Sequence, residues 1–218
     1  MARLARIVVP GLAHHVTQRG NGRQRTFFSD EDYALYRDLL ARNCRAANVE
    51  IWAWCLMPNH VHLLLVPQDA DGIRRALSKV HRAYAGAIHA RERRSGHFWQ
   101  GRFGSVALDE DHLLSAFRYV ALNPVRARLA RRAQDWPWAS TRAYLSGEAD
   151  GVTSTASMLS RYPDMAGLFE SPRVHDKAAF ERLRQAETIG RPLGGKTFVE
   201  ALSAQLNREL APGRRGRR

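Results

Sequence analysis

His60 and His62 stand two residues apart in the run Met57-Pro58-Asn59-His60-Val61-His62-Leu63-Leu64-Leu65-Val66-Pro67. Along an extended chain, side chains alternate between faces. Both imidazoles therefore share one face with Leu64 and Val66, while Val61, Leu63 and Leu65 share the other. Imidazole is polar and titrates near neutrality, so two of them on an apolar face need hydrogen-bond partners or a cation. One such histidine is ordinarily a core residue bonded to a backbone carbonyl. Two on the same face, beside a turn, favour a pair of metal ligands. The pair is incomplete by itself and needs a third ligand and a nucleophile from elsewhere in the chain.

The element that must hold these imidazoles is a hairpin. Ile51 to Met57 and His60 to Pro67 are apolar runs flanking Pro58 and Asn59, residues that start a tight turn, and Pro58 pushes Met57 toward extended geometry. Ala13 to Gln18 reads as an earlier strand. It runs into Arg19-Gly20-Asn21-Gly22-Arg23-Gln24-Arg25, either a loop offering N–H groups and guanidinium forks to phosphates or a plain basic hairpin turn. Between them Ser29-Asp30-Glu31-Asp32 starts a helix that Tyr33, Tyr36, Leu39, Leu40 and Cys44 carry to about Ala47.

Asp71-Gly72 opens a second helix, with Ile73, Leu77, Val80, Tyr84 and Ile88 as its apolar stripe and several arginines off it. His97 to Gly104 then interleaves aromatic, basic and amide side chains. Phe98 and Phe103 suit a core, leaving Trp99, Gln100 and Arg102 as candidate contacts to bases and phosphates ahead of a strand at 105–108. Asp109-Glu110-Asp111 starts a third helix, with Leu113, Leu114, Phe117, Val120 and Ala121 inward and Ser115, Tyr119 and Asn123 on a more polar line. Pro124 fits the first turn of a further helix, 125–132, with Asn123 as its N-cap, so a break is predicted there. After Ser146 the pattern loosens into a connection. A helix over 176–188, a glycine turn at 190–195 and a last helix with Phe198, Leu202 and Leu206 follow. The tail Arg214-Arg215-Gly216-Arg217-Arg218 suits non-specific phosphate contact.

Lys and Arg outnumber Asp and Glu by 34 to 21, a formal charge of +13 over 218 residues. An excess of that size, mostly arginine, points to a polyanionic partner, nucleic acid before membrane surface. No apolar run reaches the length of a membrane span, and the N-terminal apolar stretch is too short for a secretory signal. Cys44 and Cys55 have no metal-binding spacing, so a reducing cytoplasm, with the protein associated with the nucleoid, is the expected setting. A phosphate-loop signature is missing, which removes ATP-driven chemistry.

Three stretches in this order and spacing, Met57-Pro58-Asn59-His60-Val61-His62-Leu63-Leu64, Gly96-His97-Phe98-Trp99-Gln100-Gly101-Arg102-Phe103 and Tyr119-Val120-Ala121-Leu122-Asn123-Pro124-Val125-Arg126-Ala127, resemble the REP-associated tyrosine transposases. These are single-tyrosine relatives of the insertion-sequence-200 transposases in the HUH superfamily, and the likeness covers roughly residues 10–145. It implies an α+β fold, a ferredoxin-like antiparallel sheet with helices packed on it, over residues 1–145. A variable connection (146–175) and a basic helical segment (176–218) would follow. It also implies Tyr119 as nucleophile and a divalent metal, Mg²⁺ or Mn²⁺, on His60 and His62 with Asn123 in the place of a third ligand. Arg19, Arg23, Arg25, Trp99, Gln100, Arg102 and Arg126 are the expected DNA contacts. The implied substrate is single-stranded or hairpin DNA, cut through a 5′-phosphotyrosine by a monomer or homodimer. A non-catalytic hairpin-DNA-binding protein is the alternative, and it would draw on the same basic and aromatic segments.

Overall fold

A computed structural model describes residues 6–170 and 177–210. Four strands, β1 (His14–Arg19), β2 (Val49–Met57), β3 (His60–Pro67) and β4 (Gly104–Ala107), form one antiparallel sheet in the order β2-β3-β1-β4. Helix α1 (Asp30–Ala46) links β1 to β2, and α2 (Gly72–Glu92) links β3 to β4. This is the ferredoxin-like arrangement. Helix α3 (Glu110–Arg126) follows β4. After it come α4 (Thr141–Ser146), α5 (Ala156–Arg161), α6 (Met165–Glu170), α7 (Lys177–Ile189) and α8 (Lys196–Gln205).

The alternation of β3 divides the core in two. Val61, Leu63 and Leu65 face α1 and α2, meeting Tyr36, Leu40, Ile73, Leu77, Val80 and Tyr84. Leu64 and Val66 face the other way, where Leu113, Phe117 and Val120 of α3 and Phe180 and Leu183 of α7 cover them. The β2–β3 register shifts between Ile51 and Ala53, so Trp52 and Ala53 both turn to the α3 side while Ile51 and Trp54 turn to α1 and α2. Such a bulge adds one unpaired residue and bends its strand.

The two sheet-covering helices are tied at their ends. The Asp32 carboxylate, almost wholly buried, accepts from the Phe28 N–H at 2.8 Å and the Ser29 N–H at 3.3 Å, and pairs with both terminal nitrogens of Arg91 on α2. Burial pushes this carboxyl's pKa up. Arg91 and the two N–H groups outweigh that and hold it below the usual carboxylate value.

The predicted break at Asn123 does not occur. Helix α3 continues through Pro124 to Arg126, and 127–132 is not helical. Pro124 lies in the last turn, where its missing N–H costs only one intrahelical bond. The turn is held instead by burial of Leu122 against Ala133 and Val125 and by the Leu129 N–H donating to the Pro124 carbonyl. Asn123 is thus a helix-interior residue rather than a cap. The polar line of Ser115, Tyr119 and Asn123 also differs from expectation, since Tyr119 and Asn123 are both buried. The arginine tail at 214–218 lies outside the described residues.

Candidate active site

The register of the sheet brings the site together. Thr17 of β1 and Cys55 of β2 lie opposite His62, and Arg19 and Met57 lie opposite His60. Directly opposed residues of antiparallel strands share a face, and so do residues two apart on one strand. His15, Arg19, His60 and His62 therefore stand together on the side covered by α3. The Nε2 of His15 is 3.1 Å from the Nδ1 of His62, with the rings nearly parallel. His60 and His62 have ring centroids 4.8 Å apart.

Helix α3 lowers Tyr119 onto this floor. Its ring lies edge-on to His62 at 5.1 Å and to His15 at 5.6 Å between centroids. Helix α7 closes the other side, with Phe180 5.1 Å from the Tyr119 ring and a Glu187 carboxylate oxygen 2.8 Å from the Nδ1 of His15. The Arg126 guanidinium sits 4.8 Å over the Tyr119 ring and 4.6 Å over Phe180, a cation–π sandwich. Gly104 on β4 makes room for the Thr17 side chain on β1. A Cβ there would stand 3.1 Å from the Thr17 hydroxyl and 4.0 Å from the Glu187 carbonyl.

Burial, with Arg19 adding to it, pushes the His60 pKa down to about 3. Burial also takes His62 well below its ordinary value, assisted by His60, His15, Arg19 and Arg126. Both imidazoles are neutral near pH 7, the state that can donate a lone pair to a metal. The Nε2 of His62 is buried without a hydrogen-bond partner among the described residues, which is costly unless something else occupies it. A cation would fit. Imidazole nitrogens with a carbonyl or carboxylate oxygen form a borderline donor set that suits Mn²⁺ better than the harder Mg²⁺. His15, His62 and Glu187 also lie close enough to be a ligand group in their own right.

Asn123 sits one turn beyond Tyr119 with its amide folded back, its Nδ2 donating to the Tyr119 carbonyl at 3.4 Å; its Oδ1 is the atom left for a ligand. Arg19 and Arg126 reach the site. Burial, then Arg23, lowers the Arg19 pKa, while Tyr119 and Glu187 pull it back up.

Arg23 and Arg25 are exposed on the loop that wraps the Pro58-Asn59 turn, where the Gly20 N–H donates to the Asn59 carbonyl and the Thr26 N–H to the Pro58 carbonyl. Gly20 is required there, because a Cβ would collide with the Gln24 carbonyl. The same two arginines rim an open groove of about 810 Å³ that ends at His60 and is walled by Tyr33, Trp136 and Trp138.

Trp99 is built in more deeply than its neighbours. Its indole N–H donates to the His81 carbonyl at 3.0 Å and its ring packs among Tyr36, His81, Tyr84 and Phe98. Gln100 and Arg102 are exposed beside it. The segment lies along the glycine-rich loop through an Asn21 N–H to Phe98 carbonyl bond and a Gln100 N–H to Arg19 carbonyl bond, both 2.9 Å.

The sequence reading did not single out His15, Glu187, Phe180 or the aromatic wall of the groove. His15 had a usable signal, since it falls two residues before Thr17 on a strand that pairs with the histidine hairpin. Glu187 had none, because nothing local marks a glutamate on an amphipathic helix as reaching a site assembled so far upstream.

The family model described as "Transposase IS200 like" matches residues 8–123. A REP-associated tyrosine transposase of Escherichia coli strain K12 is 24% identical over 113 residues, 50% of this chain and 64% of that protein. A Haemophilus influenzae protein assigned to the same group is 28% identical over 118 residues, 48% of this chain and 66% of that one. The chain thus spans just under two-thirds of the length of either relative. Among solved structures, a REP-associated tyrosine transposase bound to a REP hairpin superposes with a TM-score of 0.58 at 20% identity. The superposition covers 67% of this chain and 86% of the other, a likeness of fold. The family match takes in β1 through the tyrosine turn of α3, more than half of the 218 residues, and on that ground this chain belongs to the IS200-like transposase family.

Proposed function

We propose that this protein is a site-specific single-stranded DNA endonuclease and strand transferase acting at REP-type hairpins, with Tyr119 as nucleophile. The observation that carries the reading is the convergence of the Tyr119 ring with His62 at 5.1 Å under the Arg126 guanidinium. The Tyr119 oxygen attacks the scissile phosphorus in line with the departing O3′. A P–O bond to tyrosine forms, the P–O3′ bond breaks, and the phenolic proton leaves as the O3′ gains one. The products are a 5′-phosphotyrosine and a free 3′-OH. One ester replaces another, so a 3′-OH attacking the phosphotyrosine rejoins strands without ATP.

His60 and His62 hold a divalent cation, Mn²⁺ or Mg²⁺, with the Asn123 Oδ1 as candidate third ligand. When bound, such a cation supplies Lewis-acid charge to the non-bridging oxygens. Arg19 and Arg126 add fixed positive charge at the same place. The groove beyond His60 receives the unpaired strand, Arg23 and Arg25 meeting phosphates and Trp136 and Trp138 offering rings to bases. Gln100 and Arg102 are further contacts along the adjoining surface, and Trp99 positions them.

Incubation with a hairpin oligonucleotide and Mn²⁺ should give a covalent protein–DNA adduct that Tyr119→Phe abolishes. An adduct that survives the substitution removes Tyr119 from its role.

A second reading, a hairpin-DNA-binding protein that does not cut, is favoured by one observation: Phe180 and Arg126 cover Tyr119 until only 5% of it is exposed. DNA binding that resists EDTA, with no adduct under any divalent metal, would establish it.

A further inference from the structure

A neutral imidazole carries one proton, and it can bind a cation only through the nitrogen without it. Which nitrogen that is depends on the partner of the other. For His60 the partner is the Asn59 side chain, whose Oδ1 is 2.6 Å from the His60 Nδ1. The amide cannot be turned round. Its Nδ2 donates at 3.0 Å to the Arg23 carbonyl, which can only accept. The His60 Nδ1 therefore bears the proton and its Nε2 the lone pair.

A second chain reaches His62 by way of His15. A Glu187 carboxylate oxygen lies 2.8 Å from the His15 Nδ1, an ion-pair contact rather than an aligned hydrogen bond, and two lone pairs at that distance would repel, so the His15 Nδ1 carries a proton. A His62 that offers its Nε2 lone pair carries its proton on Nδ1, which then donates to the His15 Nε2 3.1 Å away. What remains is the Nε2 of His62, unprotonated, buried and without a partner among the described residues.

We propose that Asn59, His15 and Glu187 are positioning residues: the chains Arg23 carbonyl–Asn59–His60 and Glu187–His15–His62 hold both imidazoles with the proton on Nδ1 and offer both Nε2 lone pairs to one divalent cation. The proposal rests on the reading of His60 and His62 as ligands. It also assigns a task to α7, which lies beyond the residues that match the family model. Glu187 acts through His15 rather than on the cation itself.

The test uses the full-length protein labelled with ¹⁵N-histidine, free of metal and DNA at pH 7, with long-range proton–nitrogen spectra to read each tautomer. Wild type should show Nδ1–H at both His60 and His62. Glu187→Ala should bring Nε2–H into the His62 signal alone, and Asn59→Ala should do so for His60 alone. Mn²⁺ affinity, read from the electron spin resonance of the free ion, should fall about 10- to 100-fold in each. Glu187→Gln keeps an oxygen that can accept from His15 and should retain the wild-type tautomer and most of the affinity.

Four results would overturn the proposal. They are Nε2–H on His62 in wild type, a His62 signal unmoved by Glu187→Ala, a Gln variant as impaired as the Ala variant, and Mn²⁺ binding abolished outright by Glu187→Ala, which would make the carboxylate a ligand. The wild-type spectrum decides even if a variant fails to fold. These readouts involve no DNA, so an adduct persisting in Tyr119→Phe would remove Tyr119 as nucleophile, and a lack of any adduct would defeat the nuclease reading, while either would leave them untouched.

Discussion

His14 should make this protein lose stability in mild acid, by an amount its surroundings fix. The residue is fully buried on β1; its Nδ1 donates to the Leu12 carbonyl at 2.9 Å and its Nε2 accepts from the Val9 N–H at 3.1 Å. Protonation would set a second N–H against the Val9 donor. Burial pushes the His14 pKa down to about 4, with the Leu12 carbonyl pulling weakly the other way. The folded value lies below the unfolded one of about 6.5, so the unfolded chain takes up the proton first. The contribution of a neutral His14 is therefore complete above about pH 6.5 and is lost as the pH falls toward 4. Between pH 7 and pH 4.5 the two pKa values give a loss of about 2 kcal/mol from this one residue.

His14→Gln isolates the effect, because an amide can donate to Leu12 and accept from Val9 without titrating. Denaturant unfolding of wild type and variant at both pH values reads it directly. Wild type should lose about 2 kcal/mol more than the variant over that interval. His60 and His81, both pushed down to about 3, contribute equally to both proteins and cancel in the comparison. Identical pH dependence in the two would mean that the fold accepts a charged imidazole at position 14, and the reasoning would fail.

Two other outcomes follow from the same structure. Replacing Arg23 and Arg25 by Ala together should weaken single-stranded DNA binding and make the plot of log affinity against log salt shallower by about 1.4, the share of two phosphate contacts. An unchanged slope would take the loop out of the interface. Asp32→Ala, which leaves two N–H groups at the start of α1 and the Arg91 guanidinium without their acceptor, should cost about 2 kcal/mol in denaturant unfolding. A change within experimental error would show that water replaces the carboxylate there.

The histidine face was legible because a strand has a period of two and Pro58-Asn59 marks the turn, so the identity of each residue already fixed its side of the sheet. The helices over 30–46 and 72–92 were legible for the parallel reason, an apolar stripe at helical spacing behind acidic or Asp-Gly starts. Pro124 misled because a proline at a first turn and a proline in a last turn look alike in sequence. Only the packing of Leu122 on Ala133 tells them apart. The line of Tyr119 and Asn123 read only as the more polar side of its helix because its cover, Phe180, arrives from a helix about sixty residues later. Pairing of that range leaves no local trace, and the same is true of Glu187 against His15.

The strand order carries a last consequence. His15 and Arg19 lie on β1 and His60 and His62 on β3, the two inner strands, each laddered on both sides. An outer strand can peel by giving up one row of hydrogen bonds, whereas an inner one must give up two. Fraying at β2 or β4 therefore leaves the imidazoles at their spacing. The two strands beneath the imidazoles keep their pairing to each other through openings confined to either edge of the sheet.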